Sequence, residues 1–205
     1  MIIKICGLSD TESAAFAAEK GADLLGFVFA ESTRRITPEQ ARRIIKKLPS
    51  SADKVGVFVN EEYSKINEIA DFCGLDIVQL HGSETPEECR KISVPVIKGI
   101  RIKDENSLRE MSRFRDCVEM FVLDTYVPGA VGGTGKVFDW NMALHGAKYG
   151  RILLAGGLNS ENVYDAIRAA NPFGVDVSSG VESLGKKDLN KIDAFIANVR
   201  GQKDG

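Results

Sequence analysis

Residues 151–182 read RILLAGGLNSENVYDAIRAANPFGVDVSSGVE, and this stretch holds one repeating unit and the start of the next. An apolar run, Ile152–Ala155, stops at Gly156-Gly157. A helical pattern follows, with Val163, Ala166, Ile167 and Ala170 at i, i+3, i+4 and i+7. A second apolar run, from Gly174 to Val177, stops at Ser178-Ser179-Gly180. Two strands that each end in small residues suit a phosphate. Glycine lets the backbone come close to the ligand, and amide N–H groups at a short helix start can face the anion. Eight-fold (β/α)8 barrels form such sites in the loops after strands seven and eight. The fold therefore turns on whether these two runs are the seventh and eighth.

Counting outward from them, they are. Strand-like runs precede them at Ile2–Cys6, Leu24–Phe29, Val55–Val59, Ile77–Leu80, Val96–Ile100 and Met120–Asp124, and the last two are Ile152–Ala155 and Val175–Ser178. They recur every ~20–30 residues, the spacing of strand–helix units. Most are continuously apolar, as parallel strands covered by helices should be. Helical stripes recur between them, at Ala41, Ile44, Ile45, Leu48, at Ile66, Ile69, Ala70, Cys73, and at Ile192, Phe195, Ile196, Val199. Thr37-Pro38-Glu39-Gln40 and Thr85-Pro86-Glu87-Glu88 read as capping boxes, as does Ser9 with Glu12. Gly21, Gly74 and Gly150 stand where left-handed helix ends belong. The segment Asp104–Arg115 has a weak stripe and reads as irregular. An open doubly wound sheet needs fewer strands and usually a glycine-rich fingerprint after the first, where this chain has CGLSD. The reading is an α/β chain, one (β/α)8 TIM barrel spanning residues 1–205 as a single domain, with Gly201–Gly205 frayed.

Composition narrows the function. The net charge is −2 and charged residues make up 27%, so no basic footprint for nucleic acid exists. No apolar run approaches the ~18 residues of a membrane span, and MIIKICG lacks a signal-peptide apolar region. Cys6, Cys73, Cys89 and Cys117 form no C-x-x-C pair and have no histidine at zinc spacing. A cytoplasmic protein is expected, without cofactor or metal, acting as a monomer or homodimer on a small molecule.

In a barrel, chemistry gathers at the C-terminal ends of strands. Cys6 ends the first. It is either a small buried hydrophobe or, given a cation or N–H groups nearby, a nucleophile or base. Asp124 ends the sixth, as a turn cap or as a partly desolvated acid. His81 ends the fourth, beyond Gln79, for substrate contact or capping. Arg35, in STRRI, is either surface charge or a fork for a carboxylate. Asp176 faces the interior or the mouth, with alternation favouring the face of Ser178. Gly132-Gly133-Thr134-Gly135-Lys136 departs from a nucleotide P-loop at Ala130 and Val137, and reads as a loop over the site.

Taken together, KICG (Lys4–Gly7), GFVF (Gly26–Phe29), STRRI (Ser32–Ile36), VGVFVN (Val55–Asn60), VQLHG (Val78–Gly82), LDT (Leu123–Thr125), GGTGKVFDW (Gly132–Trp140), LAGGL (Leu154–Leu158) and VDVSSGVE (Val175–Glu182) resemble the phosphoribosylanthranilate isomerase family, from about residue 3 to residue 199. The resemblance implies an Amadori rearrangement in tryptophan biosynthesis, converting a phosphoribosyl aldosylamine to a ketose phosphate. It implies Asp124 as general acid and Cys6 as general base. Arg35, Gln79, His81 and Asp176 would contact substrate, and Gly156, Gly157, Ser178, Ser179 and Gly180 would hold phosphate. The rival readings are another phosphosugar barrel, a lyase or an epimerase, and a non-catalytic sensor of a phosphorylated ligand.

Overall fold

In this computed structural model residues 1–102, 105–124 and 140–201 are described. The loop from Tyr126 to Val137, with its Gly132–Lys136 motif, and the last four residues lie outside them. Eight strands run in parallel order and close on themselves: β1 (Ile2–Cys6), β2 (Leu24–Val28), β3 (Asp53–Phe58), β4 (Ile77–Leu80), β5 (Val96–Arg101), β6 (Met120–Asp124), β7 (Ile152–Ala155) and β8 (Gly174–Val177). Closure is made by β1 against β8, with Lys4 opposite Asp176. The helices are α1 (Thr11–Glu19), α2 (Pro38–Ile45), α3 (Tyr63–Cys73), α4 (Pro86–Cys89), α5 (Glu105–Glu110), α6 (Asn141–Gly146), α7 (Val163–Ala170) and α8 (Leu189–Arg200).

Alternation along each strand divides the apolar residues into two cores. Leu24, Val55, Ile77, Ile97, Met120, Val122, Leu153 and Ala155 fill the cylinder. Their neighbours, such as Ile3, Ile5, Val78, Leu123 and Val175, face outward and meet the buried helix stripes. The second layer explains why the strands read as unbroken apolar runs: both faces are covered. Arg200 closes the chain by donating to the Gly21 carbonyl at 2.7 Å and the Asp23 carboxylate at 2.9 Å.

Local signals hold where they are chemically specific. Thr37 and Thr85 both form complete capping boxes, with Gln40 and Glu88 reaching back. The cap of α1 is not Ser9 but Asp10, whose carboxylate accepts from Ser13 N at 2.8 Å. A carboxylate one residue later makes the same bond and also complements the helix dipole. Gly74 caps α3 in the left-handed region at φ 72°. Gly150 does not take that conformation; it makes room for the Phe121 ring instead. The irregular segment is α5 followed by a 3₁₀ turn, Met111–Phe114. Gly201, expected to fray, donates to the Ala197 carbonyl and caps α8. A short hairpin, β9 (Glu182–Ser183) and β10 (Lys186–Lys187), stands between β8 and α8, where apolar patterning gave no sign of strands. Among the described residues no helix is long and apolar enough to cross a membrane.

Candidate active site

The C-terminal ends of the strands surround a cavity of about 450 Å3. Its wall carries Cys6 from β1, Gln79 and His81 from β4 and its end, Asp124 from β6, Gly156 and Gly157 after β7, and Asp176, Ser178 and Ser179 from β8 and its loop. Of the residues expected from sequence, Arg35 and Gly180 are missing from that wall. A larger hollow of about 710 Å3 opens beside it and shares His81, but it holds neither Cys6 nor Asp124. The smaller cavity is therefore the one that brings the candidate acid and base together.

Arg35, the arginine expected to grip a carboxylate, does not line this cavity. Arg35 pairs with Glu31 at 2.8 Å, and both side chains are largely exposed. Its neighbour Arg34 lines the cavity. The two differ in backbone setting: Arg34 stands in a turn, closed by Arg35 N donating to the Ser32 carbonyl at 3.2 Å, while Arg35 forms the parallel bridge to Val28. Gly180 lies just behind the wall, in the 3₁₀ turn Ser179–Val181. A Cβ there would strike the Leu158 carbonyl, so glycine lets the loops after β7 and β8 touch. Gly156 and Gly157 have φ of 87° and 68°, a conformation that L side chains rarely take.

Beneath Cys6 lies a buried charge that strand-end reasoning misses. Lys4 is fully buried, and its ammonium donates to Asp176 Oδ2 at 2.9 Å. Burial works against that charge, but the Asp176 carboxylate and the Cys6 sulfur outweigh it and raise the Lys4 pKa above the ordinary 10.5. Cys6 interacts electrostatically with Arg34 and Lys187 as well. Three cations thus stand around the Cys6 thiol. A signal for Lys4 does exist in the sequence: a lysine inside an apolar strand is seldom buried unless paired.

On the other side of the cavity, Gln79 Nε2 donates to His81 Nδ1 at 2.9 Å. With Nδ1 accepting, a neutral imidazole carries its proton on Nε2, and Nε2 lies 3.7 Å from Asp124 Oδ2. Gln79 Oε1 and Asp176 Oδ1 are buried acceptors without a partner among the described residues. Acceptors placed like this in a cavity wall suit a ligand rich in hydroxyl or N–H groups. Lys98, buried in β5, is consumed elsewhere: it donates to the Gly82 carbonyl at 2.7 Å and to Glu84 at 2.8 Å, tying down the loop after β4. Among the described residues no group of three or more His, Cys, Asp or Glu could hold a metal ion.

Glu182 joins the site to the hairpin. It accepts a bidentate fork from Arg34, 2.7 Å at each oxygen, and a third bond from Lys187 at 2.8 Å. The Arg34 fork, opposed by burial and helped by Lys187, holds its carboxyl down to about 2 from the ordinary 4.5. The stabilisation is therefore complete above pH ~4.5 and disappears as the pH falls through about 2. Urea unfolding of the wild type and Glu182→Gln should thus converge as the pH drops across that window. A constant difference down to the lower bound would show that the carboxylate charge contributes nothing.

An opening of this kind, with glycine turns after β7 and a small-residue turn after β8, is where (β/α)8-barrel enzymes frequently bind phosphate. The family model described as N-(5'phosphoribosyl)anthranilate (PRA) isomerase matches residues 3–198. The chain is 52% identical over 196 residues to an N-(5'-phosphoribosyl)anthranilate isomerase of Pelobacter propionicus, covering 95% of this chain and 93% of that one. A dimeric phosphoribosylanthranilate isomerase of Thermotoga maritima, solved as monomers, superposes with a TM-score of 0.87 at 44% identity, covering 98% of this chain and 100% of that one. A phosphoribosylanthranilate isomerase in complex with reduced 1-(o-carboxyphenylamino)-1-deoxyribulose 5-phosphate also gives 0.87, at 43% identity and the same coverage. This chain belongs to the N-(5'-phosphoribosyl)anthranilate isomerase family and is an intramolecular isomerase.

Proposed function

We propose that the chain converts N-(5-phosphoribosyl)anthranilate to 1-(2-carboxyphenylamino)-1-deoxyribulose 5-phosphate in tryptophan biosynthesis, with Asp124 as general acid and Cys6 as general base. The observation that carries the reading is that both groups line one cavity, bordered by the turns after β7 and β8. The phosphate sits against Gly156, Gly157, Ser178 and Ser179. Asp124 gives its proton to the ribose ring oxygen as the C1–O bond breaks, and the nitrogen lone pair forms the C1=N iminium. The Cys6 thiolate then takes the C2 proton. The C–H electrons form C1=C2 and return the iminium pair to nitrogen. The resulting enolamine tautomerises to the ketone. The iminium made from the substrate itself serves as the electron sink. Each proton transfer of this kind contributes roughly 10²–10⁴-fold.

Around these two groups, Asp176 and Gln79 supply acceptors for sugar hydroxyl and amine hydrogens. His81 faces Asp124 with its Nε2. Arg34, in place of Arg35, forks the anthranilate carboxylate with the donors that Glu182 leaves over. A cytoplasmic setting fits four cysteines that are all thiols. A homodimer, the form of the Thermotoga maritima relative, is the assembly to test by light scattering.

The direct test is the fluorescence decay of enzymatically generated phosphoribosylanthranilate on addition of the purified protein. An unchanged signal would reject the reading. In the same assay Arg34→Ala should raise KM about 10-fold or more with a smaller change in kcat, and Arg35→Ala should leave both near wild type. The reverse pattern would return the carboxylate to Arg35.

A further inference from the structure

We propose that Glu182 is the positioning residue that sets selectivity for a substrate bearing an aryl carboxylate. It does so by fixing Arg34 to the rigid unit that carries the phosphate turn. The inference rests on the function proposed above and adds to it the residue through which two distant ends of one substrate are measured against each other.

Arg34 is held from several sides. Its aliphatic stem lies over Gly7, where a Cβ would come within 2.6 Å of Cδ. Its Nε and Nη2 both donate to Glu182 at 2.7 Å. A guanidinium has five N–H donors in a fixed plane, so this fork leaves the Nη1 edge and one Nη2 hydrogen. The remaining edge is aimed by Glu182, because turning the plane would break both bonds. Glu182 is itself fixed. Lys187, nearly buried, donates to Glu182 Oε1 at 2.8 Å and to the Ser178 carbonyl at 2.9 Å. Ser178 opens the turn proposed to receive phosphate. Three charged side chains thus join the loop after β2 to the loop after β8, each held by hydrogen bonds to the next.

That geometry separates two roles. Lys187 bonds directly to the turn proposed to receive phosphate. Glu182 alone connects this support to the arginine. A substrate with both a phosphate and a carboxylate uses the whole chain of contacts. An analogue lacking the carboxylate uses only the phosphate half. A freely rotating Arg34 would lose orientation, and a misplaced fork loses most of its grip on a planar carboxylate.

The experiment compares wild type, Glu182→Gln and Arg34→Ala on two substrates: phosphoribosylanthranilate, and the aniline analogue that lacks only the ring carboxylate. Wild-type turnover of phosphoribosylanthranilate is the control that tests the function itself, so its absence rejects that reading rather than this one. We expect Glu182→Gln to raise KM for phosphoribosylanthranilate by about 10-fold with kcat held within about threefold. Kinetics on the aniline analogue should be unchanged, and so should inhibition by inorganic phosphate. Arg34→Ala should abolish the preference between the substrates, and adding Glu182→Gln to it should cost nothing further. An equal loss on both substrates, or weakened phosphate inhibition, would make Glu182 a support of the phosphate turn and overturn the proposal. Unchanged KM on phosphoribosylanthranilate would overturn it too. Glu182→Asp, which keeps the charge but cannot span the same distance, should fall between wild type and Glu182→Gln.

Discussion

Cys6→Ser should lower kcat by about 10²–10⁴-fold while KM stays within a few fold. The hydroxyl keeps the size and the place of the thiol at the end of β1, so substrate still docks against the turns after β7 and β8. What it lacks is the basicity that removal of the C2 proton requires, because a serine hydroxyl is not ionised near neutral pH, whatever cations stand around it. Lys4, Arg34 and Lys187 all interact electrostatically with the Cys6 side chain. Asp124→Asn should produce a loss of the same order by the complementary route. The amide keeps a contact to the ring oxygen but has no proton to deliver. The two defects are distinguishable, because a substrate already opened to the iminium needs only the base. Steady-state kinetics on phosphoribosylanthranilate measure both losses, and near-normal turnover in either variant would remove that residue from the chemistry.

The second large effect is on stability. Lys4→Met should destabilise the barrel by ~3–5 kcal/mol, because it leaves the Asp176 carboxylate buried without its cation. The pair spans the seam where β1 meets β8, so the uncompensated charge sits where the cylinder closes. The penalty comes from stranding one partner, not from any large net worth of the pair. Adding Asp176→Asn to Lys4→Met should therefore recover much of the loss. Urea unfolding followed by circular dichroism measures both. A single variant within about 1 kcal/mol of wild type would mean that the carboxylate had found protons or water instead.

How much of this was legible depends on how local each signal is. Apolar runs at regular spacing, two Thr-Pro capping boxes and paired small residues after the last two strands are written in consecutive residues. They give the eight-fold alternation and the small-residue turns after β7 and β8 directly. The α1 cap shifted by one residue, from Ser9 to Asp10, because two adjacent side chains could each cap and the carboxylate wins at a positive helix end. The loop Gly132–Lys136 lies outside the described residues.

The sequence by itself determined a (β/α)8 cylinder with its reactive groups at one rim, since strand ends, turns and apolar periodicity are properties of neighbouring residues. Only the tertiary structure decided which arginine enters the cavity, what neutralises Lys4, and what holds the arginine in place. Lys4 and Asp176 are 172 residues apart, and Arg34 and Glu182 are 148 apart. Their meeting depends on the register at which β1 and β8 close and on the direction of each side chain there. Arg34 stands in a turn and Arg35 in the bridge that follows it, and nothing within the pentapeptide STRRI fixes which of the two lines the cavity. The bridge to β2 does.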